Sequence, residues 1–133
     1  MRIARHFTTA GTDAYEGVDF EQRESRIVNP DGSVVFEAAD IMMPKGWSQV
    51  AVDIMAQKYF RKAGVQQVEG LDEARWSYDR PKASHNYVGT VVEDDAGETV
   101  EGTEHDARQV FHRLAGCWTW WGEKYGYFDS KDD

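Results

Sequence analysis

The sequence predicts an α+β fold, a small domain in which two main amphipathic helices pack on one or two β-hairpins. Three patterns support this prediction: a strand–turn–strand motif over residues 25–36, a helical apolar period over residues 44–62, and a second helical period beyond Thr103. A chain of 133 residues suits one domain and can bury a core without disulfide bonds. We therefore expect residues 1–133 to form a single domain.

The first regular element along the chain is a hairpin. Residues 1–22 show no clear period, so we expect an extended arm that packs against another part of the domain. In the turn Asn29-Pro30-Asp31-Gly32, proline suits the first central position of a type I turn and Gly32 supplies the positive φ that follows. Because a lone hairpin is marginal in water, this one must lie on a helix, another strand or a partner.

The first predicted helix runs from Pro44 to about Lys62. Ser48 lies at its start, where a hydroxyl caps a helix more often than it acts as a nucleophile. Gly64 stands where a left-handed C-terminal cap is expected. The apolar face of this helix consists of Trp47, Val50, Ala51, Ile54, Met55 and Tyr59.

Periodicity is weak over residues 65–102. Pro81 and the turn Asp94-Asp95-Ala96-Gly97 interrupt this stretch. A second hairpin, residues 87–92 with residues 98–101, and a long loop are both compatible with the sequence. Both alternatives stay open.

The second predicted helix is the clearest element of the sequence. Thr103 is the expected N-cap, with Asp106 three residues later, and Gly122 is the expected end. Residues 129–133 are typical of the N-terminal cap of a further helix. The predicted helix has one apolar stripe, formed by Ala107, Val110, Phe111, Leu114, Trp118 and Trp121. Its other side carries Arg108, His112 and Arg113.

The aromatic run near the end of this helix has two interpretations of equal weight. Trp118 and Trp121 share a helix face, whereas Trp120 points elsewhere. The run continues through Tyr125, Tyr127 and Phe128. It forms either an interaction surface or a two-sided core. A core role for Trp118 predicts a loss of about 3–5 kcal/mol on truncation, and an interface role for Trp120 predicts self-association or dye binding.

Composition and charge exclude several classes of protein. The net charge is −9, and residues 86–106 contain seven Asp or Glu and neither Lys nor Arg. Because phosphate binding needs clustered cations, we expect no nucleic-acid partner, and we interpret the acidic face as solvated. The chain has no apolar run of about eighteen residues and no signal-peptide pattern at its N-terminus. We therefore expect no membrane partner and a cytoplasmic location.

No set of residues points to a catalytic, cofactor-binding or metal site, so we assign none. Cys117 lies beside the apolar stripe, where a thiol is usually a small buried hydrophobic group. The acidic run Glu93-Asp94-Asp95 lacks the alternation and terminal glutamate of an EF-hand loop. No glycine-rich phosphate loop is present. The histidines are scattered along the chain, at His6, His85, His105 and His112.

A resemblance to a known family rests on strings in a fixed order. They are Phe7-Thr8-Thr9-Ala10-Gly11, Tyr15-Glu16-Gly17, residues 27–36, Pro44 with residues 47–65, residues 107–119, Trp121-Gly122 and Tyr127-Phe128. In order and density these strings resemble the opening of the adenosylcobalamin-dependent (class II) ribonucleotide reductases. They cover about two-thirds of the chain. Residues 66–102 contain no such string that we can place, and we expect them to be a variable, acidic insertion.

This resemblance implies a specific chemistry. Enzymes of that family reduce a ribonucleotide at its 2′ carbon through a thiyl radical that adenosylcobalamin generates, and a cysteine pair supplies the electrons. This chain has one cysteine, Cys117, so the residues of that reaction lie elsewhere. The resemblance therefore implies the N-terminal, non-catalytic part of such an enzyme, which makes deoxyribonucleotides for DNA synthesis.

The resemblance also implies a partner. The remainder of the reductase carries the barrel domain and binds adenosylcobalamin, and the question of a homo-oligomer stays open. The alternative hypothesis is a stand-alone interaction or regulatory protein derived from the same domain, which binds a reductase through its tryptophan-rich face. A downstream reading frame with the barrel cysteines would favour the first hypothesis.

Overall fold

The computed structural model describes residues 1–69, 75–76, 87–88 and 90–130. Within these residues, two α-helices, a π-helical turn and short antiparallel strands make the chain a small α+β protein, as the sequence predicts. In chain order the elements are β1 (Phe20–Val28), β2 (Val34–Pro44), α1 (Gln49–Ile54), the π-helical turn (Met55–Tyr59), β3 (Val65–Gln66), β4 (Val68–Glu69), β5 (Arg75–Trp76), β6 (Tyr87–Val88), β7 (Thr90–Val91), β8 (Glu101–Gly102) and α2 (Ala107–Lys124).

β1 and β2 form an antiparallel hairpin that is longer than the predicted one. The two strands have nine and eleven residues, and their pairing begins with Phe20 opposite Pro44. The predicted turn is confirmed, since Gly32 has φ +84° and its N–H donates to Asn29 O at 2.9 Å. Because Phe20 already belongs to the sheet, the N-terminal arm comprises residues 1–19.

The buried core lies between this hairpin, the first half of α2 and the first helical segment, which comprises α1 and the π-helical turn. A hairpin packed against helices gains the apolar cover that an isolated hairpin lacks. The buried side chains are Ile41, Met43, Val52, Met55, Ala56, Phe60, Ala107 and Val110. Partly buried side chains packed around them are Phe20, Phe36, Ala38, Trp47, Phe111 and Leu114.

The first helix is shorter than predicted and ends in the π-helical turn. Ser48 caps it as expected, with Ala51 N–H donating to Ser48 Oγ at 3.3 Å. The predicted start at Pro44 is wrong, because Pro44 is the last residue of β2 and the helix begins at Gln49. The predicted end at Lys62 is wrong, because Phe60 adopts an extended backbone (φ −62°, ψ 131°) and its side chain enters the core. Gly64 has φ +69° but lies beyond the helix end, so it is not the predicted cap.

The N-cap of α2 is Asp106, so the predicted cap at Thr103 is wrong. The residue before Asp106 is held on the edge of β2, since Met42 N–H donates to His105 O at 2.8 Å. Gln109 completes a capping box, in which its Oε1 accepts from Asp106 N–H at 2.9 Å. An Asp followed three residues later by Gln satisfies this motif better than Thr103 followed by Asp106.

α2 continues through Gly122 to Lys124, so the predicted end at Gly122 is wrong. Gly126, with φ +67°, is the left-handed residue that follows the helix, and Tyr127 N–H donates to Gly122 O at 2.8 Å in a Schellman motif. A Cβ on Gly122 would lie 2.1 Å from Phe128 Cε2. Gly122 therefore lets the Phe128 ring pack directly on the helix backbone.

The segment between β3 and β8 contains nested antiparallel pairs. β3 pairs with β8, β4 with β7, and β5 with β6. The second hairpin that the sequence allows forms in part. Residues 94–97 make its turn, and Val100 N–H donates to Val92 O at 2.9 Å across it. The residues before Val92 pair with β4 and β5 instead of with residues 98–101. Pro81 and residues 131–133, the latter in the expected further helix cap, lie outside the described residues.

Candidate interaction surface

An apolar groove of about 400 Å³ lies between the first helical segment and α2. Ile54 and Tyr59 are about half exposed there. The lining residues are Trp47, Ala51, Ile54, Met55, Tyr59, Val110, Phe111 and Leu114. Charged side chains are absent from this lining, so the groove suits an apolar side chain or helix face.

The predicted apolar stripe of α2 has a covered half and an exposed half. Val110 is buried, and Leu114 packs against the core. Trp118 and Trp121 continue the same face but are 62% and 49% exposed. The interpretation of Trp118 as a core residue is therefore wrong, and the exposed half of the stripe has the character of an interaction surface.

Trp120 lies on another face of α2. It is half-buried, and Lys124 Nζ lies 4.5 Å from the centroid of its ring. This contact covers part of the indole with a cation rather than with apolar groups. A role for Trp120 at an interface stays a prediction, whereas the exposed rings of the stripe belong to Trp118 and Trp121.

The chain leaves α2 along a defined path. After the Schellman motif, the ammonium group of Met1 donates to Tyr127 O at 2.6 Å and to Asp129 Oδ1 at 2.8 Å. Asp129 N–H donates in return to Met1 O at 3.3 Å. The start of the N-terminal arm thus lies against the segment that follows α2.

A buried ion pair fastens the first half of α2 to the π-helical turn. Arg113 donates to Glu104 through Nε at 2.9 Å and through Nη2 at 3.1 Å, and the Glu104 side chain is 1% exposed. Glu104 Oε2 also accepts from Arg61 N–H at 2.9 Å. Arg113 Nη2 donates to Tyr59 O at 2.9 Å as well. Arg113 and Glu104 therefore hold α2 against the segment that carries Tyr59 and Arg61.

A second ion pair lies at the start of α2. Arg108 Nη2 donates to Asp106 Oδ2 at 2.6 Å, and the Asp106 side chain is buried. The Arg108 guanidinium also lies over the Phe20 ring, 4.5 Å from its centroid. The same carboxylate thus caps the helix and binds a cation that packs on β1.

The N-terminal arm contacts α2 at Tyr15. The centroid of its ring lies 5.3 Å from that of His112 and 5.6 Å from that of Phe20. Burial is the main cause that raises the pKa of Tyr15 to about 12, and the nearby Asp106 carboxylate contributes to the same shift. Burial also lowers the pKa of His112, and the carboxylates of Asp13 and Asp106 oppose this shift in part. Both rings are therefore uncharged near neutral pH, which suits their packing.

The remaining candidates from the sequence do not assemble into a chemical site in the described part of the chain. No group of three or more His, Cys, Asp or Glu residues is placed there to hold a metal ion. His85 lies outside the described residues, and Cys117 is half-buried in α2. Asp94 Oδ1 accepts from Ala96 N–H and Glu98 N–H, so the acidic run forms a turn. No helix that the structure describes has the length and apolarity to cross a membrane.

Sequence reasoning finds the two walls of the groove but not the groove itself. The helical periods identify Ile54 and Leu114 as apolar-face residues, yet they give no distance between the two helices. Glu104 is missed altogether, because it stands nine residues from Arg113 and outside the helix. The short spacings that indicate an ion pair on one helix do not apply to it.

The fold and this surface define a class, a small α+β domain with an exposed apolar surface on its longest described helix. The chain belongs to the family of class II vitamin B12-dependent ribonucleotide reductases, whose family model matches residues 21–133. The family resemblance found in the sequence is thereby confirmed.

Three curated relatives illustrate the match, and each is named as a vitamin B12-dependent ribonucleotide reductase. The chain is 44% identical over 139 residues to the protein from Bradyrhizobium diazoefficiens and 46% identical over 137 residues to that from Agrobacterium fabrum. Each alignment covers 100% of this chain and 10% of the relative, in its N-terminal region. The Streptomyces coelicolor protein is 42% identical over 64 residues, 47% of this chain and 7% of that protein. This chain therefore spans about a tenth of the length of the first two relatives.

Proposed function

We propose that this chain is the N-terminal, non-catalytic domain of a vitamin B12-dependent ribonucleotide reductase, an oxidoreductase that converts ribonucleotides to deoxyribonucleotides for DNA synthesis. The observation that carries this proposal is the 44% and 46% identity over the whole chain to 10% of each relative. A domain of this size at one end of a large enzyme contributes structure and docking, while the reaction takes place in the remainder.

The cysteine content supports a non-catalytic role. The reduction that the family resemblance implies needs a radical thiol and a separate cysteine pair. This chain has one cysteine, Cys117, which is half-buried in α2. One thiol cannot both start the radical reaction and supply two electrons.

The apolar groove does not fit adenosylcobalamin. The groove beside α2 has a volume of about 400 Å³ and an apolar lining, which places it among the smaller pockets that bind drug-sized ligands. A corrin ring with amide side chains and an adenosyl group needs a larger site with many hydrogen-bond partners. We therefore assign the cofactor to the remainder of the reductase.

Residues 1–133 form one domain in this proposal, with the two helices packed on the first hairpin and an acidic insertion at residues 66–102. Val65 pairs with Gly102, so the two ends of this segment lie side by side. An insertion with closely held ends is tolerated because the entropic cost of loop closure grows slowly with length. The alignments to the first two relatives are longer than this chain, which supports variation in length within the family.

The proposed partner is the remainder of the reductase with its barrel domain. A net charge of −9 supports the expectation that nucleic acid is not a partner. We place the protein in the cytoplasm, with the nucleotide pools on which such an enzyme acts. A homo-oligomer of the whole enzyme is compatible with this arrangement.

The test compares three proteins: the full-length reductase, a remainder that lacks residues 1–130, and the chain 1–133 alone. Formation of deoxyribonucleotides is measured with adenosylcobalamin and a dithiol present. We expect activity from the full-length protein, none from the chain alone, and partial recovery when the chain is added to the remainder. Full-length Cys117→Ser should keep its activity, since this thiol takes no part in the reaction.

Two results would contradict the proposal. Turnover of nucleotides by the chain alone would show that it is an enzyme in its own right. A gene that ends at residue 133, in a genome whose reductase is complete without it, would instead support the stand-alone regulatory protein.

A further inference from the structure

We propose that the groove and the exposed half of α2 together form the docking face for the polypeptide that follows residue 133 in the full-length reductase. This inference rests on the proposed function and names the surface by which the domain joins the catalytic remainder. The docking face is defined by Ile54, Tyr59, Leu114, Trp118 and Trp121.

The docking face is one continuous apolar strip. Leu114 lines the groove together with Ile54 and Tyr59. Trp118 and Trp121 follow Leu114 by four and seven residues, so they extend the same helix face beyond the groove. Apart from Leu114, these side chains are between 49% and 62% exposed. A contiguous strip of large apolar side chains on a small domain marks an interface.

The strip is carried by a firmly held helix. The Glu104–Arg113 pair fixes α2 to the π-helical turn, which carries Tyr59 of the docking face. At its far end the Schellman motif and the ring of Phe128 on Gly122 close the last turn. A surface on a rigid element loses little conformational entropy when a partner binds.

The position of the chain end favours a tethered partner. Residue 133 stands nine residues beyond Lys124, so a continuing polypeptide starts within about 30 Å of the end of α2. Some nine-tenths of each of the first two relatives lies outside the matched region. A tethered segment reaches the docking face at a millimolar effective concentration, which a second chain in dilute solution does not.

The chemistry of the face specifies the kind of segment. An apolar groove between two helical segments suits the apolar side of an amphipathic helix, which inserts side chains at helical spacing. A second copy of this chain fits less well, because each copy carries a net charge of −9 and like-charged copies repel. We therefore commit to an apolar helix face of the same polypeptide as the occupant.

The first measurement is hydroxyl-radical footprinting of the full-length reductase. We expect oxidation of Trp118 and Trp121 to be about tenfold slower than their exposure in this domain implies, because a covered ring reacts only during local opening. Val35, which is 60% exposed at the far end of the hairpin, should react as an exposed side chain and serves as the internal control.

The second measurement uses variants of the same full-length protein. Trp118→Ser with Trp121→Ser should raise the rate of protease cleavage just after residue 130 about tenfold, because an undocked junction is open for most of the time. Val35→Ser is the matched control, since it also removes an exposed apolar side chain and should leave the cleavage rate unchanged.

The outcomes separate this inference from the proposed function. Active full-length reductase whose Trp118 and Trp121 oxidise as freely as exposed rings would overturn the docking face and leave the proposed function standing. Protection that disappears on dilution would show that a second copy covers the face, and protection that needs an added protein would show a separate partner. Either result overturns the intramolecular assignment. A full-length protein without cobalamin-dependent reduction would overturn the proposed function itself.

Discussion

Replacing Arg113 by methionine should destabilise the domain by about 3–5 kcal/mol, the usual effect of removing one partner of a buried ion pair. Arg113 gives Glu104 two hydrogen bonds and Tyr59 O a third. The side chains of Arg113 and Glu104 are 15% and 1% exposed, so water cannot take over the role of the guanidinium. Methionine has a helix propensity similar to that of arginine and replaces much of its apolar stem. The substitution therefore removes mainly the positive charge and the hydrogen-bond donors.

The size of this loss follows from what Glu104 retains. In Arg113→Met its carboxylate keeps the hydrogen bond from Arg61 N–H at 2.9 Å and no longer has the guanidinium. Adding Glu104→Gln removes the buried charge, so the double variant should be more stable than Arg113→Met alone. The coupling energy from the full cycle should be about 1–3 kcal/mol.

Urea unfolding followed by circular dichroism at pH 7 measures these free energies. A melting temperature lowered by roughly 10–20 °C should accompany the single variant. Arg26→Met is the matched control, because the Arg26–Glu37 pair at 3.6 Å is 58% and 60% exposed. That change should cost less than about 1 kcal/mol. A similarly small loss in Arg113→Met would refute the conclusion that this pair fastens α2.

Three further predictions concern α2 and its surroundings. Asp106→Ala should cost about 3–5 kcal/mol in unfolding free energy, because it removes the cap and also leaves Arg108 without its buried carboxylate. Thr103→Ala should be close to neutral, since Asp106 is the cap. Equal losses would contradict this assignment. Trp118→Ala should lower the unfolding free energy by less than about 1 kcal/mol, against about 2–5 kcal/mol for Ile41→Ala, because the indole is exposed and Ile41 is buried. A loss as large as that of Ile41→Ala would show that the Trp118 ring is covered in the isolated chain. The lowered pKa of His112 means that the unfolded state binds more protons just below pH 6.5, so stability should fall as the pH drops from 7.5 to 5.5. Unfolding free energies at both pH values should show a weaker fall in His112→Gln, and an unchanged fall would refute the role of this ring.

The elements that the sequence predicts well have local signals. The turn before Ser33 and the cap at Ser48 each need only neighbouring residues, and both form as predicted. The boundaries that it misses depend on distant residues. Phe60 leaves the helix to enter the core, and His105 is held by Met42 of β2. Local propensity does not contain these contacts. It therefore places the end of the first helix too late and the start of α2 too early.

The docking face was predictable in composition but not in exposure. The period of α2 places Val110, Leu114 and Trp118 on one face, and all three have the expected apolar character. Period alone cannot tell how far along the helix the core reaches. That limit is set by the hairpin and the first helical segment, which cover Val110 and leave Trp118 exposed.

The two halves of α2 therefore have different physical roles. The first half carries buried charges at its margins, Arg108 with Asp106 and Arg113 with Glu104, and these pairs fix the helix in one position. The second half carries the large exposed rings of Trp118 and Trp121, which add little to the stability of the isolated domain. Exposed tryptophans promote aggregation in an isolated chain. Their position on a firmly held helix is best explained by a surface that is covered when the rest of the polypeptide is present.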